Sequence, residues 1–131
     1  MIGIDTNVLL RLLLDDDPAQ SAHIEAWLGT LPAVVGQIHV TDVVLAEVCW
    51  TLASIYQQPK SELLRALRGL LSEPMFSFDN RAAVETAVAA YEGASCGFPD
   101  CLIVARNLSS GCTGTATFDR RMQKLPGANL L

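Results

Sequence analysis

Histidine is scarce in this chain of 131 residues: His23 and His39 are the only two. The four cysteines, Cys49, Cys96, Cys101 and Cys112, include no C-x-x-C pair, and stretches such as EVCW and DCLIV set them in apolar company. They read as buried, reduced thiols, which leaves neither a zinc site nor a disulfide framework. Aromatic residues make up 6% of the chain, so the core must be built from Leu, Ala and Val, a composition suited to helices packed on an aliphatic sheet. No apolar run reaches the roughly 20 residues that span a bilayer. The N-terminus lacks a basic leader, so the expected compartment is the cytosol, with no membrane partner. Repeats, low-complexity tracts and linkers are absent as well, and the length fits a single domain, residues 1–131. What is abundant is hydrophobic residue, at 50%, with a positive mean hydropathy of +0.31. That is ample material for a packed core.

The net charge of −5 speaks against tight non-specific binding to nucleic acid. It does not exclude a nucleic-acid substrate. If four carboxylates belong to a metal site, nine basic residues face ten remaining acidic ones, and Arg120, Arg121 and Lys124 cluster just after Asp119.

Along the chain, residues 2–4 read as a short strand, followed by a helix from about Thr6 through VLLRLLL to the acidic run DDDP. Asp17 before Pro18 is a helix start, an N-cap followed by proline at the first helical position. In that helix Ala19, Ala22, Ala26 and Leu28 are available for packing. Ile38 to Val40 make a second strand, and Thr41 or Asp42 caps a helix over VVLAEVCWTLASIYQQ. A further helix, SELLRALRGLL, carries leucines at helical spacing. MFSF at 75–78 is the third strand, and Asp79 or Asn80 starts a helix over AAVETAVAAY. FPDCLIVARNL is helical, CTGTATF is a strand leading to Asp119, and the terminal NLL is an edge strand after a short RRMQKL turn. Trp27 and Trp50 read as core. Strands alternating with helices predict an α/β domain with a central parallel sheet of four to five strands flanked by helices.

Four carboxylates stand in unusual company. Glu47 lies inside VVLAEVCW, where burial would require a hydrogen bond, an ion pair or a metal. Asp100 opens an apolar helix, and Asp5 and Asp119 each end an apolar strand. In a parallel sheet, strand ends and the following helix starts border one crevice, so this topology directs all four acids toward one place. Each also has an ordinary reading: Asp5, Asp100 and Asp119 as helix or turn caps, Glu47 as the partner of an arginine. A shared site of hard oxygen donors, without Cys or His, selects Mg²⁺ or Mn²⁺. Such ions suit phosphodiester hydrolysis. Thr6, Asn7 and Thr117 are small polar neighbours able to orient the carboxylates or water.

The stretches MIGIDTNVLLRLLLDDDPAQ, LAEVCWTL, FPDCLIVARNLSSGCTGTATFD and RRMQKLPG resemble the PIN domain family, in particular VapC-type toxins of bacterial toxin–antitoxin systems. The resemblance covers essentially the whole chain. It implies a parallel sheet flanked by helices and a metal-dependent endoribonuclease that cleaves RNA with a metal-activated water, leaving a 5′-phosphate and a 3′-hydroxyl. The family's acidic positions map onto Asp5, Glu47, Asp100 and Asp119, and Thr117 is its hydroxyl two residues before the last acid. On this reading Asp5, Glu47 and Asp100 bind the first cation, Asp119 helps hold that ion or a second, and Arg11, Arg120 or Arg121 contacts RNA phosphates. The resemblance also implies a homodimer, a cognate antitoxin protein and a higher assembly of the two; the leucine-rich segments 8–14 and 63–71 read either as docking surfaces for these partners or, more simply, as part of the core. Two departures stand out: SCGFP lacks the further acid often found before the position of Asp100, and Pro99 and Cys101 flank that acid where small residues are usual.

Two other readings compete. A phosphohydrolase of the HAD type needs a second Asp two residues after its nucleophile, and here that position is Asn7. A catalytically silent PIN-like binding or scaffold module would have its acids occupied by arginines of a partner.

Overall fold

In the computed structural model, which describes residues 1–131, the first strand is only two residues long. Strand β1 (Ile2–Gly3) runs into Asp5, whose extended backbone and side chain cap helix α1 (Thr6–Leu13): Asp5 Oδ1 accepts the Val8 amide at 3.0 Å. The same device recurs along the chain. Asp17 caps α2 (Pro18–Leu28), Thr41 follows β2 (Ile38–Val40) and caps α3 (Asp42–Ser54), and Asn80 follows β3 (Phe76–Phe78) to cap α5 (Arg81–Gly93). A side-chain cap of this kind stabilises a helix by about 1 kcal/mol. Helix α4 (Lys60–Ser72) precedes β3 and has no side-chain cap.

The chain forms two compact units, Met1–Asp79 and Asn80–Leu131. In the first, β1, β2 and β3 make a parallel sheet in that order, with Ile2 opposite Ile38 and Ile38 opposite Phe76. Helices α1 and α4 both pack on α3. Helix α3 buries Val44, Leu45, Val48, Cys49 and Leu52, one stripe at helical spacing. That stripe turns positions 43, 47 and 50 outward. Trp50 is 60% exposed and Val43 65%, and Glu47 is exposed too. The expectation of a buried Glu47 and a core Trp50 is thus corrected: their neighbours are apolar in sequence, but the 100° step per residue puts those neighbours on another face. Helix α2 also differs from expectation. None of its residues is fully buried, and its half-buried positions are Ser21, Ile24, Trp27 and Leu28 while Ala19, Ala22 and Ala26 face out. The larger side chains cover more apolar area per contact.

The second unit contains α5, α6 (Phe98–Ser109), β4 (Thr115–Thr117), a 3₁₀ turn (Arg120–Met122) and β5 (Ala128–Leu130). Helices α5 and α6 pack together along Ala83, Val84, Ala87 and Val88, which are buried. Tyr91 meets Phe98 edge to face, with centroids 6.0 Å apart at 70°. Strands β4 and β5 pair in parallel, Thr115 opposite Ala128. The α/β class with parallel strands is therefore as expected, but the five strands divide into sheets of three and two where a single sheet of four to five was expected. Three cysteines are buried as read, Cys112 is exposed, and all four are free.

The approach of β4 to β5 requires glycine. A Cβ on Gly114 would lie 2.3 Å from the Gly127 carbonyl oxygen and 2.5 Å from the Asn129 amide nitrogen, closer than atoms pack. Gly114→Ala is expected to destabilise the protein by about 1–3 kcal/mol, as overpacking does, read as a lower urea midpoint. Gly69→Ala, where nothing lies within 4 Å, is the control and should be neutral or slightly stabilising.

Candidate active site

In the first unit the end of β1 organises two of the candidate acids. The Thr6 hydroxyl, at the first residue of α1, donates to Glu47 Oε2 on α3 at 2.7 Å. Forty-one residues separate the two in sequence. The bond fixes one Glu47 oxygen beside the strand end that carries Asp5, and leaves Oε1 without a protein donor. Asp5 likewise spends Oδ1 on the α1 cap and keeps Oδ2. Both carboxylates are thus held by neutral donors, and no arginine neutralises either. The reading of Glu47 as the partner of an arginine does not apply. Asn7 is exposed at the second position of α1 and takes no part in this network. Asp5 also borders an apolar pocket of about 520 Å³ whose walls include Ile4, Val8, His23 and Trp27.

A fifth acid belongs to the same sheet edge. Asp79, at the end of β3, accepts the Asp42 amide at the start of α3 (2.8 Å) and lies 3.0 Å from His39 Nε2. His39 Nδ1 lies 2.9 Å from the Ser77 hydroxyl on the neighbouring strand. By sequence alone Asp79 is a candidate cap for α5 and nothing more. The signal was present in FSFDN, an acid directly after a strand, the same pattern as Asp5 and Asp119.

In the second unit, Asp100 sits in the first turn of α6 behind Pro99 and is half-buried. It is not the helix cap, since Gly97 occupies that position. The helix N-terminus favours its charge. Asp119 is placed by Thr117, whose hydroxyl accepts the Asp119 amide at 2.9 Å. Asp119 then caps the 3₁₀ turn through the Arg121 amide (2.9 Å) and pairs with the Arg121 guanidinium through Nε to Oδ1 (3.1 Å) and Nη2 to Oδ2 (2.9 Å). The cap reading of Asp119 is therefore realised, with an ion pair added. Arg120 is exposed. Arg11 is engaged elsewhere: its guanidinium bonds Asp16 and the Tyr56 hydroxyl, and its side chain is 10% exposed. That arginine ties α1 to the loop after it and to the end of α3.

No group of three or more His, Cys, Asp or Glu side chains is arranged to hold a metal ion. The donor chemistry nonetheless suits one class of ion. Every candidate is a hard carboxylate, and Asp5 and Glu47 each retain an oxygen for a further ligand. One or two carboxylates completed by water and substrate phosphate are what Mg²⁺ accepts, so the residues present fit a cation of that class.

The Arg121 side-chain hydrogen bond, followed by its backbone amide, holds the Asp119 carboxyl below the usual aspartate range. With the folded value below the unfolded one, the contact favours folding above the unfolded pKa and is lost as pH falls through the folded value. Arg121→Gln should move the Asp119 midpoint upward in a ¹³C carboxyl titration. An unmoved midpoint would assign the depression to the turn amide alone.

The family model described as PIN domain matches residues 2–128, a span that includes Asp5, Glu47, Asp100 and Asp119. No curated protein matches the chain significantly. The match runs through both compact units and covers nearly every residue, and the chain belongs to the PIN domain family.

Proposed function

We propose that this protein is a metal-dependent endoribonuclease, the toxin of a toxin–antitoxin pair, with residues 1–131 acting as one PIN domain. PIN domains are generally metal-dependent nucleases. The observation that carries the reading to this chain is the Thr6–Glu47 hydrogen bond. It holds a carboxylate that has no arginine partner beside the strand end that carries Asp5, an arrangement with a use in metal binding.

In this reading Asp5, Glu47 and Asp100 hold Mg²⁺ or Mn²⁺, and Asp119 assists. The ion, when bound, supplies Lewis acidity and a water acidified toward neutral pH. The chain does the rest. Thr6 fixes the Glu47 carboxylate, the α1 amide fixes Asp5, and Thr117 fixes the backbone of Asp119. Arg120 offers a guanidinium for an RNA phosphate, while Arg11 serves the fold. Trp27 and His23, in the pocket beside Asp5, offer a stacking wall to an unpaired base.

One surface supports the antitoxin proposal. Leu12, Leu13 and Leu14 at the end of α1 line a groove of about 580 Å³ with Ala66, Gly69 and Leu70 of α4. Gln58, Glu62, Arg65 and Glu73 line the same groove, so an amphipathic antitoxin helix laid in by its apolar face would meet leucines and charged residues together. A homodimer is part of the same proposal, and its interface has to leave Glu47, which shares the outer face of α3 with the exposed Val43 and Trp50, open to the cation. One observation favours the scaffold alternative: Asp119 already has an arginine on both oxygens.

The test is cleavage of bacterial total RNA by the purified protein with Mn²⁺ or Mg²⁺ against EDTA. Discrete fragments are expected only with the metal. Asp100→Asn should lower the rate by about 10²-fold or more, as loss of an electrostatic catalytic group does, with an unchanged circular dichroism spectrum. Full activity in a folded Asp100→Asn protein would remove Asp100 from the mechanism. A folded wild-type protein that binds Mn²⁺ and cuts nothing would favour the scaffold reading.

A further inference from the structure

We propose that Arg121 is a built-in counter-ion that holds Asp119 against the divalent cation and must release it before that carboxylate can serve as a ligand. The proposal rests on the metal-site reading above and concerns how the site is loaded.

Asp119 differs from the other acids in its partner. Asp5 is held by a backbone amide and Glu47 by a hydroxyl, neutral donors that leave the negative charge in place for an ion. Asp119 receives three hydrogen bonds from one residue, the Arg121 amide, Nε and Nη2. A carboxylate has about four lone-pair sites, so most of its capacity is taken and the guanidinium offsets its charge. The 3₁₀ turn Arg120–Met122 fixes the spacing, so the pairing is built into the local backbone. The guanidinium also feels Asp100, although more weakly than Asp119. Arg121 thus sets a positive charge directly on Asp119, where it opposes a second one.

The latch is made to open. The Arg121 side chain is 66% exposed and that of Asp119 is 29% exposed, so the guanidinium can rotate into water without repacking a core. The Arg121 amide bond to Asp119 survives that rotation and keeps the carboxylate in place. Once displaced, the guanidinium becomes available to a phosphate oxygen of RNA, for which its fork is matched. RNA and cation then help each other: each draws away one half of the Arg121–Asp119 pair, and linkage makes the effect reciprocal. Arg121 acts here as a positioning residue.

The experiment is Mn²⁺ binding to the full chain without RNA, followed by the electron paramagnetic resonance signal of free Mn²⁺, for wild type, Arg121→Gln, Arg121→Lys and Arg120→Gln. An exposed ion pair is weak, so Arg121→Gln is expected to bind Mn²⁺ about two- to fivefold more tightly, with Arg121→Lys between it and wild type. Arg120→Gln, the same change of charge one residue away, should shift affinity less. The gap between Arg121→Gln and wild type should narrow as salt is raised. Equal shifts for the Arg120 and Arg121 variants, or no shift for either, overturn the latch while leaving the metal site intact. No Mn²⁺ binding by any of the four folded proteins overturns the metal-site reading itself, and the latch with it.

Discussion

The parallel register of β1, β2 and β3 is the constraint on which the first unit depends. Parallel strands end on one edge, and each end here hands the chain to a polar residue: Asp5 after β1, Thr41 after β2, Asp79 after β3. The helices that follow need partners for their first amides, which have none within the helix. Asp5 supplies the Val8 amide, Thr41 the Val44 amide and Asp79 the Asp42 amide. One edge of the sheet is thus lined with oxygen atoms that are there to finish helices. A carboxylate has oxygen to spare after capping, as Asp5 does with Oδ2.

Capping and chemistry consequently draw on the same side chains, and what separates them is the charge of the partner. An amide or hydroxyl orients a carboxylate without cancelling it, as Thr6 does for Glu47. An arginine orients and cancels at once, as Arg121 does for Asp119. The contrast runs through the chain's other ion pairs. Arg11 with Asp16 closes the end of α1, and Arg81 with Glu85 decorates α5 at helical spacing. In those pairs the charge is spent on structure. Asp5 and Glu47 have no such partner, and both lie within the PIN family match across residues 2–128.

Much of the fold could be read directly from the chain. Pro18 behind Asp17, Thr41 before an apolar run and Asn80 after FSF each mark a helix start, because a cap is a local event decided by three or four residues. Strands Ile38–Val40 and Phe76–Phe78 were equally plain between their helices. Glu47 and Trp50 were misjudged as buried for a clear reason. Sequence neighbours such as Val48 and Cys49 are apolar, yet a helix turns each residue about 100° from the last, so company in sequence is not company in space. The role of Asp79 is not legible locally, because its partners, His39 and the Asp42 amide, lie about forty residues away.

The sequence alone thus determined the order of the elements, most of the helix starts and the aliphatic character of the core, and it nominated four carboxylates, since these follow from local propensity, periodicity and residue chemistry. Tertiary structure decided which partner each carboxylate keeps. Thr6 reaches Glu47 only because α1 packs on α3, and β4 pairs with β5 because two glycines allow the backbones to touch. Hydrogen bonds and close packing reward proximity in space, and pairings so far apart in the chain are set by the fold.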